Sequence, residues 1–207
     1  MFGIGSLLAA ISQGIVLGKI TTGFVPGFAS AGFVAVTAVG VVSGYCLLGA
    51  TWLVKKTTGA IESMSRRHAI VAVFTTAAAA LVVSLATLKP SPVGITRWQE
   101  QGVIHLLIAL AVLAALTFLY VLYAILMRGE HGPFVGATLL FVISFAGLAI
   151  NMFPYVVPGQ LTVAAAASDS TTLTFMLFGI GIVFPVMIGY NLYQYHLFRG
   201  KVVPVKH

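Results

Sequence analysis

Acidic side chains are scarce in this sequence. Its 207 residues include four carboxylates against eleven lysines and arginines. All four lie outside the long apolar runs, at Glu62, Glu100, Glu130 and Asp169. Ionisable groups within the membrane mark the proton relays and many of the ion pathways of membrane proteins. The chain is therefore poorly equipped to carry ions by itself, and we expect it to work as a partner in a larger assembly.

Cysteine is almost absent as well. Because Cys46 is the only one, the chain forms no internal disulfide and no thiolate metal cluster. We interpret Cys46 as a small apolar residue within a helix. The sequence also lacks a phosphate-binding loop, zinc-ligand spacing, a nucleophile elbow and a pair of neighbouring acids. We therefore predict no catalytic, cofactor-binding or metal-binding residue in this chain.

Apolar residues, by contrast, make up 59% of the chain, and charged residues only 7%. Six apolar runs each reach or approach the roughly 20 residues that a helix needs to cross a bilayer. The runs are Phe2–Ile20, Gly32–Val54, Ala69–Leu88, Val103–Met127, Phe134–Val157 and Leu173–Phe198. Continuous runs of this length exclude barrel strands. We predict an all-α integral membrane protein with about six transmembrane helices in a single domain, residues 1–207.

Basic residues concentrate on one side of the predicted membrane. Eight lysines and arginines follow the even-numbered spans, and three follow or close the odd-numbered ones. The eight are Lys55, Lys56, Arg66, Arg67, Arg128, Arg199, Lys201 and Lys206; the three are Lys19, Lys89 and Arg97. This bias predicts that both termini are cytoplasmic. An anionic lipid leaflet accounts for the net charge of +7, so no nucleic acid is expected as a partner.

Two of the five histidines fall within spans. His105 lies near the external end of the fourth span, where a neutral imidazole can ligate haem iron or pass protons. A single histidine near the interface is more often simply hydrogen-bonded to its surroundings, and we favour that interpretation. His196 stands beside the basic tail and is predicted to be an interface residue.

Prolines interrupt the last two spans. Pro154 and Pro158 should break the fifth helix near the external surface, and Pro185 should kink the sixth. Ser170 is placed to cap that sixth helix. Broken helices in transporters expose backbone dipoles to substrate, but a shaped interface toward another helix or subunit is the commoner outcome.

Small residues recur at helical spacing in several spans, at Gly14 with Gly18, Gly40 with Gly44, and Ala77–Ala80. Such positions allow helix backbones to approach closely; the alternative is room for a lipid or quinone tail. Polar and aromatic residues cluster near helix ends, at Asn151, Tyr190, Asn191, Tyr193, Gln194, Tyr195, Arg199 and Lys201. Those toward the carboxy terminus are predicted to anchor the last helix at the cytoplasmic interface, with a quinone-headgroup site as the alternative.

Several stretches together resemble one family. Gly49–Gly59 (GATWLVKKTTG) and Phe198–Val202 (FRGKV) resemble the haem-free second subunit of cytochrome bd-type quinol oxidases. Ser12–Gly18 (SQGIVLG) is similar to the fourth helix of that subunit. Phe153–Pro158 (FPYVVP), with Thr172, Leu173, Pro185 and Tyr190 at comparable spacing, is similar to its last two helices. The resemblance extends from about Ser12 to Val202.

The resemblance implies a respiratory complex that oxidises quinol and reduces dioxygen to water in the bacterial or archaeal cytoplasmic membrane. It implies a heterodimer with a haem-bearing subunit I that holds two b-type haems and one d-type haem. This chain would bind no haem, although a structural quinone or lipid is compatible with the family. Thr58 stands where family members commonly have an acid. The family's first helices, which carry intramembrane acids in relatives, have no counterpart here, so no proton-pathway residue is assigned.

Two other hypotheses stay open. One is a small stand-alone permease whose broken fifth helix lines a substrate path, based on Asn151, Pro154 and Pro158. The other concerns the amino terminus, where apolar sequence begins at Phe2 without a basic flank or a small-residue cleavage site. This start is not typical of a signal peptide and predicts that the chain is the later part of a longer protein.

Overall fold

A computed structural model of the protein describes residues 2–87, 101–198 and 200–201. Within these ranges the chain forms seven α-helices and one β-hairpin. The helices are α1 (Phe2–Thr21), α2 (Phe28–Lys56), α3 (Ala60–Thr87), α4 (Gln101–Leu126), α5 (Gly132–Met152), α6 (Val163–Ala166) and α7 (Ser170–Leu197), and the strands are β1 (Tyr155–Val157) and β2 (Leu161–Thr162). All the helices except α6 are long and apolar enough to cross a membrane. The predicted all-α membrane fold with six spans is confirmed.

Helices α2 to α5 form a bundle, and α1 packs along α2. The buried apolar side chains of the bundle come from all four of its helices, and they are Leu47, Ala50, Ala69, Ala72, Val73, Val121, Ile125, Ala137 and Leu140. Most of them belong to the last turns of α2 and α4 and to the first turns of α3 and α5. The tightest core therefore lies at the end of the bundle where the basic residues Lys55, Lys56 and Arg66 follow.

Helix α7 is set apart from this bundle. None of its 28 residues is buried, although the helix is as apolar as the others. Side chains such as Phe175 and Leu177 are 80% and 70% exposed. The helix contacts the bundle mainly near its carboxy-terminal end, through Tyr195 and the residues that follow.

The fifth helix ends earlier than the apolar run predicts. Helix α5 stops at Met152, five residues before the apolar run ends at Val157, because Pro154 has no amide hydrogen with which to continue the helix. The predicted break of the fifth helix at Pro154 is confirmed. Tyr155 pairs with Thr162 in the antiparallel hairpin of β1 and β2 instead. Gln160, in the hairpin turn, donates a hydrogen bond to the carbonyl oxygen of Gly23, just after α1.

Helix α7 begins with a different cap from the one that the sequence indicates. The backbone of Asp169 is extended, and its carboxylate accepts a hydrogen bond from the amide of Thr171 at 3.1 Å. Ser170 is already the first helical residue, so its predicted role as the cap is wrong. The hydrogen bonds from Thr171 and from the Ser170 amide lower the pKa of Asp169 below its ordinary value, since they stabilise the ionised form. Pro185 lies inside α7, and the kink there stays a prediction.

The first small-residue pair does bring two helix backbones together. A Cβ atom added at Gly14 would collide with Cα of Ala38, and one added at Gly18 would lie 2.8 Å from Cα of Val34. The contact of α1 with α2 therefore depends on glycine at both positions. The second pair behaves differently. A Cβ at Gly40 would approach Ala79 of α3 at 3.1 Å, whereas one at Gly44 would meet no atom within 4 Å among the described residues.

Candidate functional site at the basic end of the bundle

An aromatic cluster joins three helices where α2 ends. The Trp52 ring lies 5.0 Å from the Phe134 ring of α5 and 5.6 Å from the Tyr195 ring of α7, measured between centroids. The second pair meets edge to face, an arrangement that aromatic quadrupoles favour. Tyr195 was predicted to be an interface anchor, and these contacts place it against α2.

Two consecutive lysines border this cluster, and they have different partners. The Lys55 ammonium lies 5.5 Å from the Trp52 ring centroid and 5.2 Å from that of Phe134. The Lys56 ammonium lies 5.2 Å from the centroid of the same Trp52 ring. It also donates hydrogen bonds to the carbonyl oxygens of Phe198 and Gly200. Carbonyls at a helix end have no partner within the helix, so Lys56 satisfies acceptors at the end of α7 and complements the negative end of its dipole.

The turn between α4 and α5 carries the acid of the site. Glu130 forms an ion pair with Lys201 at 2.6 Å. The hydrogen bond and the charge of Lys201 lower the pKa of Glu130 below its ordinary value, because both stabilise the carboxylate. This pair attaches the residues after α7 to the bundle. The charge of Lys201 balances that of Glu130, so Glu130 does not attract a second cation.

Arg66 connects the start of α3 to the end of α4 at the same end of the bundle. It is paired with Glu62 one turn earlier in α3, at 2.8 Å, and its side chain is only 12% exposed. Its guanidinium also donates hydrogen bonds of 3.0 to 3.3 Å to three carbonyl oxygens at and beyond the end of α4, those of Ile125, Arg128 and Gly129. Glu62 therefore forms an ion pair near the start of α3, outside the apolar runs.

A cavity of about 720 Å³ lies between these elements. Its lining combines the aromatic cluster, three lysines and the start of α5, and it consists of Trp52, Lys55, Lys56, Glu130, His131, Phe134, Thr138, Tyr195, Gly200 and Lys201. Among the residues that the structure describes, Glu130 is the only acid in this lining, and it is paired with Lys201. The cavity is therefore positively charged overall and has aromatic walls, which suits an anionic group attached to an apolar body.

The histidines singled out in the sequence do not line this cavity. His105 is exposed on the second turn of α4, and His196 lies on the exposed last turn of α7. The amide of Asn191 donates to the Met187 carbonyl of its own helix. Cys46 lies within α2, as predicted, and is exposed on the helix surface. Of the residues predicted near the carboxy terminus, Tyr195 and Lys201 join the site; Arg199 lies outside the described residues.

A second, smaller cavity of about 260 Å³ is lined by all five helices from α1 to α5, at the opposite end of the bundle. Asn151 lines it together with the hydroxyl residues Thr37 and Ser144. Both hydroxyls donate to carbonyls of their own helices, four residues earlier. Such a cavity leaves space for a lipid or quinone tail. Ala80, one of the small residues for which that alternative was considered, lines it.

Side chains that can ligate a metal are dispersed among the residues that the structure describes. They include no group of three or more His, Cys, Asp or Glu that could hold a metal ion. His105, the one histidine considered as an axial ligand, does not line the cavity formed by α1 to α5.

Sequence reasoning missed the specific roles of Lys56, Arg66 and Glu130. Each was recognised only as a charge outside the spans. The pairing of Arg66 with Glu62 had a detectable signal, because the two stand four residues apart in a segment that continues α3. The contacts of Lys56 and Glu130 span more than 70 residues of sequence and had no local signal.

Fold and site together define a multi-pass helical membrane protein whose polar groups are gathered at one end. The family model for cytochrome bd terminal oxidase subunit II matches residues 1–198, nearly the whole chain, and the chain belongs to that family. This finding confirms the resemblance read from Gly49–Gly59 and the other motifs. The chain is thus a subunit of a bd-type oxidase, a quinol oxidase complex that includes another subunit. No curated protein matches the chain.

Proposed function

We propose that this chain is the haem-free subunit of a bd-type quinol oxidase and pairs with a haem-bearing subunit that oxidises quinol and reduces dioxygen to water. Family membership supports the oxidase assignment. The single observation that best supports the pairing is α7, which is 28 residues long and buries none of them within its own chain. Such a helix presents its whole surface to lipid or to another polypeptide.

Small residues give one face of α7 a shape suited to another helix. Gly181, Pro185 and Gly189 are spaced four residues apart, which places them on one side of the helix. A Cβ added at Gly181 or Gly189 meets no atom within 4 Å among the described residues. In a membrane, helix association depends on close packing rather than on hydrophobicity, and glycines allow that close approach. This face is where we place the partner.

The haems b and d are assigned to the partner subunit. The described carboxylates of this chain lie at or outside helix ends: Glu62 in the first turn of α3, Glu130 between α4 and α5, and Asp169 at the start of α7. Each has a hydrogen-bond or ion-pair partner at that position. Groups committed in this way do not form a relay through the membrane, so we assign this chain a structural role.

We further propose that the basic end of the bundle faces the cytoplasm and that the protein resides in the cytoplasmic membrane. Lys55, Lys56 and Lys201 meet at this end, and Lys19 lies at the end of α1, on the opposite side. The start of α1 and the end of α7 lie toward the basic end. The positive-inside rule then supports cytoplasmic positions for both termini.

Purification of the tagged chain from native membranes tests this proposal. We expect a second polypeptide to copurify and the preparation to show b- and d-type haem absorbance. A Gly181→Leu variant should lose the haem-bearing partner while the membrane content of the chain itself stays near normal. Gly3→Leu is the matched control, since a Cβ at Gly3 also meets nothing within 4 Å, and it should keep the partner. Purification of the wild-type chain alone, without haem absorbance, would refute the proposal.

A stand-alone permease is the second candidate, and the cavity formed by α1 to α5 favours it. Asn151 lines that cavity just before the helix break at Pro154. If the chain transports a solute by itself, liposomes that contain only this chain should show flux that Pro154→Ala abolishes. Absence of flux in such liposomes, together with copurification of a haem protein, would leave the oxidase subunit as the sole candidate.

A further inference from the structure

We infer that the cavity between Trp52, Lys55 and Lys201 is a binding site for an anionic phospholipid, with the phosphate beside Lys55 and the acyl chains between α7 and the bundle. The inference concerns only this end of the chain, and it holds for whichever leaflet that end faces. It therefore stands independently of the pairing proposed above.

The three lysines that line the cavity differ in how far their charge is already paired. Lys56 is engaged by carbonyls at the end of α7, and Lys201 by Glu130. Lys55 contacts only the rings of Trp52 and Phe134 and, among the described residues, has no carboxylate or carbonyl partner. A half-buried ammonium without a counter-charge attracts an anion more strongly than one already paired. Of the three described lysines that line the cavity, Lys55 is therefore the one left for a ligand.

A second positive feature lies on the other wall of the cavity. Helix α5 starts at Gly132, and its cap residue His131 makes no side-chain hydrogen bond to the first turn. Both His131 and Phe134 of this turn line the cavity. The positive end of the helix dipole and the first amides are thus close to the space that Lys55 borders, and phosphates are stabilised in such positions.

An apolar face of α5 continues from the cavity and can hold the apolar part of the ligand. From Phe134, the residues Thr138, Phe141 and Phe145 follow at spacings of four, three and four, on one face of α5. Phe141 and Phe145 are 46% and 66% exposed, and Phe141 stacks on Tyr45 of α2 at 6.4 Å. Since α7 buries no residue against this face, an acyl chain has an apolar wall to follow away from the phosphate.

The composition of the site favours a lipid over a soluble anion. Trp52 and Tyr195 border the lysines, and tryptophan and tyrosine are the residues found at the level of lipid headgroups. Basic pockets between transmembrane helices bind anionic headgroups in this way. A free phosphate or nucleotide would use the lysines but not the aromatic and apolar wall below them.

Photocrosslinking tests the inference. The full chain is purified together with any polypeptides bound to it and is then reconstituted into membranes of defined lipid composition. A benzophenone amino acid replaces Thr138, which lines the cavity, and lipid adducts are identified by mass spectrometry on peptides of this chain. The control carries the same residue at Val135, which is 56% exposed on α5 outside the cavity. In membranes of equal phosphatidylglycerol and phosphatidylcholine, adducts at 138 should favour phosphatidylglycerol by about fivefold, and those at 135 should match the bulk composition.

Two further variants test whether Lys55 binds the phosphate. Lys55→Gln should reduce the enrichment at position 138 toward the bulk ratio, and Lys55→Arg should preserve most of it. Equal lipid ratios at 138 and 135 would overturn the inference, as would enrichment that survives Lys55→Gln. Adducts to a polypeptide at 138 in place of lipid would also overturn it and would assign the cavity to a protein partner. Loss of enrichment on adding inorganic phosphate would overturn it in favour of a site for soluble anions.

Discussion

The Lys56 side chain extends from the last residue of α2 to the carbonyl oxygen of Phe198, which follows the last residue of α7. The two residues are 142 positions apart in sequence. Because α7 buries no residue along its length, this contact and its neighbours hold the helix to the bundle at its carboxy-terminal end, as far as the described residues go. The rest of α7 is left for lipid or for a partner.

Lys56→Met removes the donor at the end of α7. We expect the amides of the last turn, which include Phe198, to exchange with deuterium several times faster than in the wild type, because partly exposed charged contacts contribute up to about 1 kcal/mol. Hydrogen exchange with peptide resolution measures this. Arg67→Met is the control, since Arg67 is exposed and makes no hydrogen bond to α7 in the described structure. Equal acceleration by both variants would contradict the assigned role.

Arg66→Met should destabilise the protein far more than Arg67→Met. Arg66 donates to Glu62 and to three carbonyls at the end of α4, and the loss of hydrogen bonds to a charged group costs about 1.5–3 kcal/mol. Arg67 is exposed. Thermal unfolding in detergent should show a lower midpoint for the first variant only. Glu62→Gln should fall between them, because it leaves the contacts with the carbonyls in place; a loss as large as that of Arg66→Met would argue that the ion pair alone matters.

Gly14→Ala and Gly3→Ala should have opposite signs. Alanine is intrinsically the better helix former by about 1 kcal/mol, so Gly3→Ala, with open space around it, should be neutral or stabilising. At Gly14 the added methyl group would collide with Ala38 of α2, and overpacking costs about 1–3 kcal/mol. Denaturant titration in detergent should rank the two variants on either side of the wild type. A stabilised Gly14→Ala variant would mean that α1 is free to move away from α2.

The ion pair of Glu130 with Lys201 makes the attachment of the residues after α7 sensitive to acid. Because the folded-state pKa of Glu130 is lowered from 4.5, the pair contributes fully above that ordinary value and is lost as pH falls through the lowered one. A spin label at Gly200→Cys, in a Cys46→Ala background, should stay immobile at pH 6 and become mobile only below the ordinary pKa. Glu130→Gln should give the mobile spectrum at both pH values. An immobile label in that variant would show that other contacts suffice.

Much of the fold could be read from the sequence, because a span in hydrocarbon must satisfy its own backbone and therefore becomes a helix wherever about 20 apolar residues occur in a row. The errors arose where local chemistry competes. Pro154 predicted the break of the fifth helix, but nothing in the apolar run to Val157 indicated that the next residues pair as β1. Asp169 and Ser170 are both good caps, and only the backbone conformation of Asp169 decides between them.

The candidate site was much less predictable. Lys55 and Lys56 are identical in type and adjacent in sequence, and both were counted simply as cations that follow an even-numbered span. Their difference arises because successive helical residues point about 100° apart, which directs Lys56 to the end of α7 and leaves Lys55 over the aromatic rings. The sequence by itself determined the helices, the membrane and the family, since these depend on composition and local pattern. Only the tertiary structure decided which charges are already paired, because that depends on contacts between residues far apart in the chain.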